Sequence, residues 1–360
     1  MKILLLSAYH AQSHQSWCQS LSKMFPEYEW VQLSLPARYF NWRIRGNALS
    51  WSLSQRSILK QHYDMVVATS MVDCATLRGL VPTLANLPWL VYFHENQFAY
   101  PVDTKNDRIE PKMVSLYNAL CAQAIYFNSE FNYQSFIDGL SAFLKKMPDE
   151  VPSSTLSVIK DKSFVLAVPI DVAKKNMVKK SFNKVPVLLW NHRWEYDKGP
   201  KLLLNLLNEL ARRNFEFKLN LLGQQFRKVP IELDEIKKTF KKNILNIGFI
   251  ESTEQYELIV KQSDFVLSTA LHDFQGLAVL ESVSLGCIPV VPNRLAYKEI
   301  FPKKYCYDSL PDKPIDEAVS MADKIEKLWK EQDSIDLDDI NIEKFSLQAM
   351  KHDYSSKWFL

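Results

Sequence analysis

Residues 187–213 read VLLWNHRWEYDKGPKLLLNLLNELARR. A continuous apolar run gives way to a polar, basic loop, then Gly199 and Pro200, then leucines at helical spacing. A strand without polar alternation belongs to a sheet covered on both faces, and a helix following it at once supplies one cover. The same unit recurs. KILLL is followed by HQSWCQSLSKMF, DMVVATS by DCATLRGLVPTL, AIYFNS by EFNYQSFIDGLSAFL, and DFVLST by a loop and LAVLESVSLG. EWVQLSL, PWLVYF, SFVLAVPI, FKLNLLG, NILNIGF and CIPVV read as further strands, with STEQYELIVKQ and residues 315–331 as helices. The lysine-rich stretch DVAKKNMVKKSFNKVP has no apolar period and divides the units into two series. The fold class is therefore α/β, with two doubly wound parallel-sheet domains.

Composition narrows the function classes. The chain has 360 residues, 47% of them apolar, enough for two cores. A net charge of +3 allows a polyanion partner without demanding one. Cys18, Cys74, Cys121, Cys287 and Cys306 are scattered, with no CxxC pair and no Cys/His cluster at metal spacing, so we expect reduced thiols and no metal. The opening MKILLLSAY is too short in its apolar part for a signal sequence and reads as a buried strand. No run of about 18 apolar residues is present to span a bilayer, and a cytoplasmic location is expected.

In doubly wound sheets ligands lie beyond the carboxyl ends of the strands. There Arg193 and Lys198 follow VLLWN, two cations beside a helix start, which suits a diphosphate. After DFVLST comes ALHDFQGLAVLE. Asp273 can accept hydrogen bonds from sugar hydroxyls, Gln275, Gly276 and Leu277 open a helix toward a phosphate, and Glu281 can hold a ribose diol. An acidic residue favouring a helix dipole, with an exposed helix charge after it, explains the same letters, and the motif alone leaves both open. After PWLVYF, the run HENQ places His94, Asn96 and Gln97 at a strand end, where amides suit hydroxyls or base edges. LPARYFNWRIRGNALSW joins Arg38, Arg43 and Arg45 to Tyr39, Phe40, Trp42 and Trp51. That mixture suits phosphates and unstacked bases, or equally an irregular loop packed over its own aromatics.

With these residues in view, the second half resembles the retaining GT-B glycosyltransferases, whose mark is an E-x7-E motif with an upstream Arg and Lys. Arg193 and Lys198 match the basic pair, and Asp273 to Glu281 keeps the spacing with Asp in place of the first Glu. In the first half, MKILLLSAYHAQSHQSW, LPARYFNWRIRGNALSW, ATSMVDCATLRGL and YFHENQFAYP are similar to the tRNA-queuosine α-mannosyltransferase family. The resemblance implies two Rossmann-like domains facing a central cleft: an acceptor (tRNA) domain over 1–172, a linker over 173–184, a nucleotide-sugar domain over 185–340, and a final helix within 341–360 crossing back to the first domain. It implies transfer of mannose from GDP-mannose to the cyclopentenediol of queuosine in the anticodon loop of tRNA-Asp, with retention, without a metal and without a membrane partner. Arg193, Lys198, Asp273, Gln275, Gly276, Leu277 and Glu281 would bind the donor, with His94, Arg193, Lys198 and Asp273 at the reacting sugar. Arg38, Trp42, Arg43, Arg45, Asn96 and Gln97 would present the acceptor. Three rivals share these letters: a hexosyltransferase acting on lipid or polysaccharide, a sugar-nucleotide epimerase or hydrolase, and a tRNA-binding protein with an inactive donor site.

Overall fold

The computed structural model describes residues 1–99, 108–172, 182–225 and 228–358. The chain divides into two compact units, one formed by Met1–Pro169 with Leu347–Leu360 and the other by Ile170–Ser346. Most of the linker expected over 173–184, its residues 173–181, lies outside the described residues.

The first unit is built on six parallel strands: β1 Lys2–His10, β2 Glu29–Pro36, β3 Met65–Thr69, β4 Trp89–Phe93, β5 Ala124–Phe127 and β6 Ser163–Val165, in spatial order β2-β1-β3-β4-β5-β6. Every residue of β3 and β4 is buried, as their unbroken apolar character requires of strands covered on both faces. The chain moves from β1 outward to β2, then jumps back across β1 to β3, so the order reverses between β1 and β3. Such a reversal splays the flanking loops apart and leaves a crevice at the carboxyl ends of the two strands.

Two of the longer helices of this unit were not evident in the letters. The arginine-rich segment after β2 is not a loop but a helix over Phe40–Ser54. Ile44, Ala48 and Trp51, one face of a helix at intervals of four and three, are buried there and anchor it to the core. The helix Ile109–Cys121 likewise buries Val114 and Ala119. The final helix, Leu347–Trp358, buries Met350, Tyr354 and Trp358, a stripe at intervals of four. Trp17 Nε1 donates to the Tyr354 hydroxyl at 2.9 Å, and that hydroxyl donates to Ala167 O at 3.0 Å. The final helix is thus part of the first core.

The second unit repeats the plan with β7 Val187–Asn191, β8 Lys218–Leu222, β9 Ile244–Gly248, β10 Phe265–Leu267, β11 Ile288–Pro292 and β12 Cys306–Tyr307, in order β12-β11-β10-β7-β8-β9. Here the reversal falls between β7 and β10, the two strands whose following loops carry the basic pair and the Asp273 segment. The strand β12 is too short, at two residues, to leave a periodic signal. The stretch 187–213 is indeed strand, loop and helix, the helix Pro200–Arg212 burying six leucines, among them Leu203 and Leu207. Among the described residues no helix is long and apolar enough to cross a membrane.

Candidate active site

At the β7/β10 crevice the chain is brought together by close backbone approaches. Gly199, with φ of 66°, caps the helix Pro200–Arg212, and a Cβ there would stand 2.0 Å from Thr269 O, so only glycine fits. Trp190 Nε1 donates to the Thr269 hydroxyl, which donates to Lys198 O at 2.7 Å. The two loops are stitched together before any ligand arrives.

Lys198 is the centre of the charge network. Its Nζ donates to His272 O at 3.0 Å and stands 3.4 Å from both Asp197 Oδ2 and Asp273 Oδ2. Asp273 Oδ1 accepts from the Gly276 N–H at 3.0 Å, and Oδ2 also accepts from the Tyr297 hydroxyl at 3.0 Å. Ser268 Oγ donates in turn to Tyr297. Burial alone would raise the Asp273 carboxyl, but Lys198 and His192, with the Tyr297 and Gly276 donors, hold it down to about 2. His192 is lowered as well, to about 4, by burial and the Lys198 charge, which leaves it neutral; its Nε2 donates to Leu267 O. The result is one ionised carboxylate, one neutral imidazole and one ammonium, fixed in place.

Gly276 takes φ of 76° at the start of the helix Leu277–Ser284, and a Cβ on it would meet the Tyr297 ring at 2.5 Å. Gln275 is buried and Leu277 opens the helix. Glu281 lies one turn into that helix, and burial pushes its carboxyl up to about 7. Arg193 is half exposed, paired with Glu195 Oε2 at 2.8 Å and 3.8 Å from Asp197 Oδ2. Displacing the exposed Arg193–Glu195 pair would cost a diphosphate under about 1 kcal/mol.

The structure brings Arg193, Lys198, Asp273, Gly276 and Glu281 to one crevice, but it turns both Asp273 oxygens onto protein groups. The Asp273 side chain reaches Lys198, Tyr297 and Gly276 together and so braces the loop. Asp197, His192, Tyr297 and Arg294 were missed in the sequence. Arg294 donates to Ala270 O through Nε and Nη2 and pairs with Glu317, tethering the same loop. Tyr297 lies 24 positions from Asp273, in a short helix without a motif of its own. Asp197 was the one with a signal, an acid adjacent to Lys198.

In the first unit, the acceptor candidates separate. Arg38 and Arg45 are exposed, with Arg45 paired to Asp73 Oδ2 at 2.9 Å, the carboxylate that also caps the helix Cys74–Leu80. Trp42 is 54% and Tyr39 71% exposed, and the Arg38 guanidinium sits over the Tyr39 ring. Arg43 is buried, against the expectation of an outward cation, because the helix turns it to the same side as Ile44 and Asn47. Asn96 is also corrected. It is wholly buried, its amide donating to Asn132 and Ser135 and its carbonyl accepting from the Phe98 and Ala99 N–H groups, so it holds the loop rather than facing a ligand. Gln97 remains partly exposed, and His94 is buried at the end of β4. No group of three or more His, Cys, Asp or Glu among the described residues could hold a metal.

Comparison with known proteins adds the following. Residues 2–170 match the family described as tRNA-queuosine alpha-mannosyltransferase N-terminal, and residues 172–340 match Glycosyl transferases group 1. The tRNA-queuosine alpha-mannosyltransferase of Drosophila melanogaster is 31% identical over 363 residues, covering 98% of this chain and 95% of the relative. A GDP-mannose:cellobiosyl-diphosphopolyprenol alpha-mannosyltransferase of Xanthomonas oryzae is 24% identical over 110 residues, 29% of this chain and 28% of the relative. Among solved structures, sucrose-phosphate synthase from Thermosynechococcus elongatus superposes with a TM-score of 0.71 at 10% identity, covering 100% of this chain and 98% of that one. HepE from Anabaena, solved with UDP and glucose, gives 0.68 at 12% identity, covering 100% and 99%. These two likenesses establish the GT-B fold. The twin parallel sheets, the matched halves and the near full-length relative together place this chain in the tRNA-queuosine alpha-mannosyltransferase family of glycosyltransferases.

Proposed function

We propose that the chain transfers mannose from GDP-mannose to the cyclopentenediol of queuosine in the anticodon loop of tRNA-Asp, with retention at the anomeric carbon and without a metal ion. The observation that carries the chemistry is the Lys198 ammonium held between Asp197, Asp273 and the His272 carbonyl at the β7/β10 crevice. A fixed cation there meets the charge that develops on the departing diphosphate without having to reorganise, and each such preorganised donor is worth roughly 2.7 to 4 kcal/mol of barrier. Arg193 adds a second cation, from a half-exposed side chain. Glu281, in this reading, accepts hydrogen bonds from the donor ribose.

Retention by a covalent intermediate needs a free carboxylate as nucleophile. Asp273 is engaged by three donors and its charge is strongly stabilised, which makes it a poor one. We therefore favour same-face attack, the acceptor hydroxyl passing its proton to the leaving phosphate as the new glycosidic bond forms. His94 would contact the hydroxyls at the reacting end. Arg38, Trp42, Gln97 and Arg45 would hold the RNA through phosphate contacts and base stacking. Five cysteines, all free, suit a reducing compartment such as the cytoplasm.

The test is incubation with queuosine-containing tRNA and a panel of sugar nucleotides, followed by digestion and nucleoside mass measurement. A hexose increment on queuosine with GDP-mannose, absent with UDP-sugars, is expected. Acceptor-independent release of free sugar or an epimer would instead favour the hydrolase or epimerase.

A further inference from the structure

The β1/β3 crevice of the first unit carries polar atoms that the protein leaves unsatisfied. His14 stands in the first turn of the helix Gln12–Met24, which leaves the carboxyl end of β1, and it is 2% exposed. Its Nε2 lies 3.2 Å from Glu95 Oε2. A carboxylate can only accept, so the proton of that bond sits on His14 Nε2 and leaves Nδ1 as the ring's remaining polar atom. Nδ1 is buried without a hydrogen-bond partner among the described residues. The His14 ring stacks on His94, with centroids 4.1 Å apart and planes 20° apart, and His94 Nε2 is likewise buried without a partner. Thr69 Oγ1 and Ser70 Oγ, at the end of β3, are also buried without a partner among the described residues.

A buried polar atom without a partner costs roughly 1 to 3 kcal/mol, so several at one strand end point to groups that a ligand supplies. The ring positions are not loose. Trp17 meets His94 edge-on at 5.0 Å and Tyr92 lies 4.7 Å from it, while Trp17 is itself tied to Tyr354. Burial, with His14 and His10 nearby, keeps His94 well below the usual imidazole range, so it is neutral. Imidazole nitrogens and hydroxyls are partners for hydroxyl groups, which both donate and accept.

We propose that His14 is a substrate-contacting residue, paired with His94 in a binding site for the hydroxyls of a polyhydroxylated ring, with Glu95 fixing its tautomer. This rests on the transferase reading above. The ring is either the hexose of the donor or the cyclic diol of the acceptor, which offer the same chemistry.

His14→Phe keeps the aromatic stack and removes both nitrogens, whereas His14→Asn returns a polar atom near the Nδ1 position. We expect kcat/KM for transfer to fall at least tenfold in His14→Phe and to recover partly in His14→Asn, with the affinity for GDP and the thermal midpoint unchanged. If the KM for GDP-mannose rises while that for queuosine-containing tRNA is unchanged, His14 holds the hexose. If only the KM for queuosine-containing tRNA rises, it holds the acceptor diol. His14→Phe turning over at the wild-type rate, or His14→Asn no better than a well-folded His14→Phe, overturns the inference. Wild-type chain run alongside separates the two readings: no hexose transfer by the wild type defeats the proposed function itself, whereas transfer by wild type and His14→Phe alike defeats only the role of His14.

Discussion

The two crevices of this molecule are built on the same topology and differ in where their charged groups lie, although the β7/β10 end also leaves Asn191 Oδ1 buried without a partner among the described residues. At β7/β10 the charged groups are already paired: Lys198 between two carboxylates, Asp273 with three donors, Arg193 with Glu195. At β1/β3 His14 Nδ1, His94 Nε2, Thr69 Oγ1 and Ser70 Oγ are buried without partners among the described residues. Desolvation explains the contrast. An unpaired buried charge is far more costly than an unpaired buried hydroxyl or imidazole, so a site for an anion must be braced in advance while a site for hydroxyls can wait for them. One fold thus holds an electrostatic end and a hydrogen-bonding end.

The largest effect that could break this contrast is at Lys198. Lys198→Ala removes the cation and leaves Asp197 and Asp273 facing each other without it. Turnover is expected to fall by roughly 100- to 1000-fold, as for loss of a preorganised donor. Steady-state kinetics near the wild-type rate would show that the charged crevice is not where the reaction is driven. Arg193→Ala should cost less, because that side chain is half exposed.

Glu281 sharpens the comparison through pH. A ribose diol donating to its carboxylate favours the ionised form, while burial holds the unliganded group up to about 7. Nucleotide affinity should therefore rise with pH toward 7 and above, by up to about tenfold per unit on the acid side. Calorimetric titration of GDP from pH 6 to 8 should show this in the wild type, and Glu281→Gln should flatten it. The sign for folding is the reverse. Between about 4.5 and 7 the unfolded chain ionises this group while the folded one keeps its proton, so its contribution to stability falls as pH rises through that window.

Asp273 carries the opposite linkage. Its folded value of about 2 lies below the ordinary carboxylate value of 3.8, so its stabilisation is present above about 4 and is lost as pH falls through about 2. The difference corresponds to roughly 2 kcal/mol. Urea unfolding of Asp273→Asn at pH 7 should show a loss of that order, which shrinks on acidification. Equal stability at pH 7 would remove the bracing role. Asp273→Glu should also disturb the site, since the longer arm must displace Tyr297 from its packing on Gly276.

The smallest effect concerns the rim of the first unit. Arg38→Ala and Arg45→Ala should each reduce the salt dependence of tRNA binding by about one phosphate contact, leaving GDP affinity unchanged. Arg43→Ala, its residue turned inward, should instead lower stability. An unchanged salt slope in both exposed variants would place the RNA elsewhere.

Much of the electrostatic end was legible in the letters, because strand, loop and helix are consecutive there. VLLWN, Lys198 and the helix after Pro200 follow one another directly, as do DFVLST, Asp273 and Gly276. Tyr297 and Arg294 were not, since they reach the loop only through the third dimension. The hydrogen-bonding end was harder. His14 and His94 are 80 positions apart in the sequence and become a stack only when β1 and β4 enter one sheet. Asn96 and Arg43 misled for the same reason: polar residue types announce an ability to bond but not which partner takes it. The helix Phe40–Ser54 was hidden by its arginines, although Ile44, Ala48 and Trp51 kept the period.

The most direct test of the two-ended account measures GDP affinity and hexose transfer side by side in Lys198→Ala and His14→Phe. The account predicts that transfer falls in both, while GDP binding is weakened in Lys198→Ala and retained in His14→Phe. Loss of GDP binding in His14→Phe, or its full retention in Lys198→Ala, would contradict it.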